Sequence, residues 1–133
     1  MGTEELNTSA DYIAGKFEEY GLLPAGDNQS YFQTFEHNFG ANKNYTISNV
    51  LGMIPGNDKE LTEPVVISAH YDHLGLGWPD VRKGNEGKIH FGADDNASGV
   101  AAMLRLAAYL KQGRATNNNY LFIGFSGEEL GLY

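Results

Sequence analysis

Cysteine is absent from the 133 residues, which excludes thiolate zinc sites, CxxC redox chemistry and a cysteine nucleophile. It leaves the compartment open, since reducing and oxidising environments both tolerate the absence. Basic residues are scarce: 9 Lys and Arg stand against 17 Asp and Glu, a formal charge of −8. Nucleic acids and anionic membranes reward clustered cations, and the nine here are scattered, so neither is expected as a main partner. No apolar run reaches the roughly 20 residues that cross a bilayer. The opening MGTEELNTS lacks the basic and apolar regions of a signal peptide. Proline occurs only four times, and none of the four interrupts a helical pattern.

What is present is the composition of an ordinary folded domain, 41% hydrophobic and 20% charged. From Glu4 to Tyr20 the apolar residues Leu6, Ala10, Ile13, Ala14 and Phe17 recur at helical spacing, and Gly21 supplies the stop. Tyr31 to His37 alternate aromatic and polar residues as a half-buried strand does, and a second strand is expected from Asn44 to Ile54. PVVISA, 64 to 69, and YLFIGF, 120 to 125, read as strands buried on both faces. Val100, Met103, Leu104, Ala107, Ala108 and Leu110 mark a second helix, with Asp95, Asn96 or Ser98 as its cap and Gly113 as its end. The Gly-rich stretch 75 to 92, with a Trp-Pro pair, reads as a long loop. Strands alternating with helices imply an α/β layered sheet.

Ligands of open α/β sheets bind at the carboxyl ends of strands. Three polar clusters are predicted to fall at such ends or before a helix: His70-Tyr71-Asp72-His73, Asp94-Asp95-Asn96 and Glu128-Glu129. Each alone has a bland explanation: a His and an Asp in a surface turn, a helix N-cap, the acids of a first helical turn. Together they are imidazole and carboxylate groups with no Lys or Arg inside any cluster, and a divalent cation would neutralise them. Imidazole with carboxylates suits zinc best, with manganese or cobalt as alternatives. HYDH is not HExxH, and GFSGE departs from a nucleophile elbow at its fifth residue with no His following it as base. Ser126 therefore reads as a turn residue, and His37 and His90 as surface or packing histidines. Neither a Walker A loop nor a GxGxxG is present, so nucleotide chemistry has no support.

The segments VVISAHYDHLG (65 to 75), GADDNASGVA (92 to 101) and FIGFSGEELGLY (122 to 133) resemble, in order, residue type and spacing, the three N-terminal metal-site motifs of the M28 family of di-zinc aminopeptidases. The opening helix ending GLLPAG resembles the segment that precedes that family's first strands. The resemblance implies a three-layer α/β/α sandwich with a mixed, mostly parallel central sheet. It implies that His70 binds one zinc, Asp95 bridges two, Glu129 binds the other, Glu128 is the general base and Asp72 orients His70. It also implies a cis peptide bond between Asp95 and Asn96.

The implied activity is hydrolysis of N-terminal peptide bonds, with a peptide N-terminus as substrate. The same fold is used by glutaminyl-cyclase-like acyltransferases with a single zinc, and a non-catalytic binding or scaffold relative is the third reading. DNASG and GEELG look more like the peptidases. Family members carry a further Asp and a His downstream, one for each metal, so residues 1–133 are expected to be the N-terminal part of a catalytic domain. His73 is not expected to substitute, because alternation along the strand puts it opposite His70. The chain alone is expected to be inactive, to bind zinc weakly or not at all, and to self-associate through residues 65 to 69. Periplasmic or extracellular location is favoured by the resemblance only.

Overall fold

Thr3 opens the first helix, α1 (Glu4–Glu19), because its hydroxyl accepts the otherwise unpaired Leu6 N–H. Gly21, at φ +76°, closes it: its N–H bonds to the Glu18 carbonyl, and the Leu22 N–H reaches back to the Phe17 carbonyl. A computed structural model describes residues 3–38, 44–76, 83–113 and 117–131. Part of the 75–92 loop, including the Trp-Pro pair, lies outside the described residues. Among the described helices none is long and apolar enough to cross a membrane.

Five strands make one mixed sheet: β1 (Leu23–Pro24), β2 (Phe32–Asn38), β3 (Asn44–Ile54), β4 (Val65–His70) and β5 (Tyr120–Phe125). Their order is β1-β3-β5-β4, with β2 also paired to β3. The expected α/β class holds, but the balance of the sheet differs from the mostly parallel pattern. Only β4 and β5 run parallel; β1, β2 and β5 each pair antiparallel with β3. The reason is local: β2 and β3 are consecutive and pair as a hairpin, whereas β4 reaches β5 through the crossover helix α2 (Ser98–Gln112).

Both helices pack on one face of the sheet. Ile13, Ala14 and Phe17 of α1 and Met103, Leu104 and Ala107 of α2 share a core with Val50, Ile54, Ala69 and Phe122. Phe17 and Phe122 are fully buried, their ring centroids 6.2 Å apart, and each such side chain contributes roughly 1.5–3 kcal/mol by leaving water. Gly52 lies under this contact: a Cβ there would sit 2.7 Å from Phe17 Cδ2 and 2.9 Å from Leu22 Cδ2. The other row of the sheet pairs Val66 with Leu121 and Leu121 with Met53. No described helix covers it, and Val66 is 53% exposed. The described residues are thus two layers of the three that the resemblance implies, and β4 is an edge strand with Val65 and Val66 exposed.

Candidate metal centre

The parallel pair β4–β5 ends at His70 and Phe125, which sit side by side. His70 is the last residue of β4, not the first beyond it, and the Tyr71 N–H still bonds to the Phe125 carbonyl. From this rim the chain leaves extended geometry at both strand ends. The β5 end turns through Ser126 and Gly127, at φ +99°, into the short 3₁₀ turn Glu128–Leu130. The irregular turn Ala93–Ala97 before α2 brings Asp95 to the same rim. Its Asp95–Asn96 bond is cis, as the resemblance implies. The Asn96 side-chain carbonyl accepts from the Gly99 N–H and so serves the helix as a cap.

The imidazole of His70 donates its Nδ1–H to the Asp72 backbone carbonyl at 3.2 Å. That commitment leaves Nε2 facing carboxylates: Asp95 Oδ1 at 2.9 Å and Glu128 Oε2 at 3.7 Å. Nitrogen lone pair and carboxylate oxygens are all acceptors, so either a proton or a cation must sit between them. Burial lowers the pKa of His70, but the Asp72 carbonyl and the charges of Glu128, Asp72 and Asp95 outweigh it and hold the ring above its ordinary value. Ligand atoms of His70, Asp95 and Glu129 lie within 4.8 Å of one another. One nitrogen and two carboxylates within reach of a cation whose bonds run about 2 Å fit zinc. Among the described residues no Lys or Arg pairs with these acids; the ion pair of a Lys is Lys16 with Glu19, far along α1.

Asp72 is placed as expected but acts differently. Its carboxylate stands 3.6 Å from His70 Nδ1, beyond a hydrogen bond, and orients that ring through the main-chain carbonyl instead. Its two oxygens accept the backbone N–H groups of Glu128 at 3.3 Å and Glu129 at 3.2 Å. Only 3% of Asp72 is exposed. A buried carboxylate satisfied by two amides is a clamp on the turn that carries both glutamates. With their backbone fixed, Glu129 points to His70 and Asp95 while Glu128 reaches the His70 edge, 38% exposed.

His73 is the residue that strand alternation missed. The strand stops at His70, so alternation no longer governs residues 71 to 73. His73 stays out of the donor triad, yet its Nδ1 is 2.6 Å from Glu129 Oε1. His90 packs edge-on to it at 6.4 Å, as a packing histidine was expected to. A cavity of about 440 Å³ opens beside His70 and Glu128, lined by Ser68, Asn96, Phe125 and Ser126. A larger one, about 660 Å³, lies behind the site against Tyr12, Val100 and Leu104. The smaller is lined by His70 and Glu128, the larger by Asp72 and His73.

Residues 49–133 match the family model of Peptidase family M28. The chain belongs to that family. It is 33% identical over 133 residues to the alkaline phosphatase isozyme conversion protein of Escherichia coli K12, covering 98% of this chain and 37% of that relative. Among solved structures it is similar to glutaminyl cyclase of Fimbriiglobus ruber, with TM-score 0.77 and 21% identity over 96% of this chain and 39% of that one. It is also similar to a Zn-dependent exopeptidase of Parabacteroides distasonis, with TM-score 0.65 and 24% identity over 92% of this chain and 39% of that one. At these identities the structures share the fold. The M28 chain described here therefore spans well under half the length of the relatives it matches.

Proposed function

We propose that this chain supplies the metal-binding and general-base half of a zinc aminopeptidase site, acting on the N-terminal peptide bond of a peptide. The observation that carries the reading is the convergence of acceptors on one point: His70 Nε2, with its other nitrogen already committed, faces Asp95 and Glu128, and Glu129 joins within ligand range. Zinc held there would supply Lewis-acid polarisation of a carbonyl and lower the pKa of water. His70, Asp95 and Glu129, the three donors among the described residues, would hold the zinc, and in this chain alone they would hold it weakly.

Glu128 is the general base in this reading. It is exposed enough to meet water at the mouth of the 440 Å³ cavity, and its backbone is held by Asp72. It takes a proton from water and returns it to the leaving amine. Glu129 cannot exchange roles with it, because its carboxylate is turned toward the donor triad and His73.

A second reading, acyl transfer that cyclises N-terminal glutamine, is favoured by the fold likeness to the Fimbriiglobus ruber cyclase. Both are tested on the longer M28 protein that contains this chain, with aminoacyl-nitroanilides against glutaminyl peptides. Aminopeptidase turnover that Glu128→Gln lowers by about 100-fold or more with zinc retained supports the first reading. Cyclisation without hydrolysis selects the second, and unchanged turnover in the variant removes Glu128 as base.

A further inference from the structure

His73 makes a 2.6 Å contact with Glu129 at the rim of the sheet, and none of the roles assigned to the site uses it. Its ring is held in place. A Cβ on Gly92 would lie 2.8 Å from both Cγ and Cδ2 of His73, so the imidazole rests directly on the Gly92 backbone, which at φ +60° suits glycine. The His90 ring closes a second side, and the His90 backbone N–H is tied to the Gly75 carbonyl at 2.8 Å. From this seat Nδ1 donates to Glu129 Oε1 at 2.6 Å, the length of a strong hydrogen bond to a charged acceptor.

Glu129 is consequently fixed at both ends, its backbone N–H on Asp72 Oδ2 and one carboxylate oxygen on His73. A glutamate has three rotatable bonds, and fixing its tip before a cation arrives removes that ordering cost from binding. The carboxylate held by His73 also contributes an oxygen to the donor triad. Its side chain is 16% exposed, against 71% for Asp95.

We propose that His73 is a positioning residue that holds the Glu129 carboxylate for zinc without ligating the ion itself. The inference rests on the zinc reading above and extends it to a residue outside the triad. Outer hydrogen-bond partners of metal ligands typically affect affinity by about 10- to 100-fold.

The test is titration with zinc alone of the longer M28 protein that contains this chain, in a buffer that does not chelate, with the melting temperature of each metal-free variant as the control for folding. His73→Ala is expected to weaken zinc binding by about 10- to 100-fold. His73→Asn, whose amide N–H can occupy nearly the position of Nδ1–H, is expected to bind within about threefold of the parent, since it restores the donor. In a Glu129→Ala background, His73→Ala is expected to cost nothing more, because its effect passes through Glu129. Equal weakening by Ala and Asn, a further loss in the Glu129→Ala background, or binding by His73→Ala within about threefold of the parent would overturn the role of His73 alone. No zinc uptake by that parent protein would overturn the metal reading, and the role of His73 with it.

Discussion

Replacing Asp72 with asparagine tests the clamp that joins the ends of β4 and β5. The substitution keeps the shape and one acceptor oxygen but turns an NH₂ group toward a backbone N–H, either that of Glu128 or that of Glu129. A hydrogen bond to a charged group is worth about 1.5–3 kcal/mol, and a buried donor left unpaired costs about 1–3 kcal/mol. The two contacts here, at 3.3 and 3.2 Å, are longer than typical charge-assisted bonds, which argues for the lower end of each range. Removing one negative charge from a rim that also holds Asp95, Glu128 and Glu129 returns part of the loss. The net expectation is a destabilisation of about 2 kcal/mol, or a fall of roughly 6–10 °C in melting temperature for a chain of this size. Urea unfolding of parent and variant measures it directly, with a lower midpoint at unchanged slope. A shift smaller than about 0.5 kcal/mol, the range of an ordinary surface substitution, would refute the clamp.

Tyr71 donates its hydroxyl to the Ser48 carbonyl, and burial pushes its pKa up to about 12. Its folded pKa lies above the unfolded value of about 10, so this contribution, of order 2 kcal/mol, is complete below pH 10 and is lost between about pH 10 and 12; tyrosinate absorbance that rises with an unperturbed midpoint would contradict it. The exposed edge and face at Val65 and Val66 should make the chain self-associate, with a Val66→Lys substitution reducing it; light scattering that shows a monomer at every concentration would contradict this.

The strands were legible where local pattern and tertiary role agree. The bounds of β3 and β5 follow their β-branched and aromatic runs, and α1 follows its apolar spacing, Thr3 excepted, whose cap is a polar detail outside the periodic pattern. The sheet's direction was less legible, because apolar composition marks a strand as buried and does not say which neighbour it meets. Antiparallel β5 on β3 depends on the route of the chain between them. At the site, the three polar clusters were readable from residue type at strand ends, whereas the choice of His70, Asp95 and Glu129 within them was implied by the family resemblance, and the structure brings all three together. The resemblance pointed Asp72 at His70, which its carboxylate does face at 3.6 Å, but its hydrogen bonds were not legible, because their donors are backbone amides 56 and 57 residues away. His73 was passed over for a related reason: its partner, Glu129, is also 56 residues distant. The signal that could have found it is the second histidine of HYDH together with the conformational demand for glycine at 92, where the ring rests.

The central claim is that His70, Asp95 and Glu129 form one cation site. Zinc titration of the chain, followed by the backbone amide resonances, tests it most directly. The account predicts that shifts concentrate at residues 70–73, 93–97 and 126–131, and that His70→Ala abolishes them. Zinc-induced shifts centred elsewhere, or undiminished in His70→Ala, would contradict it.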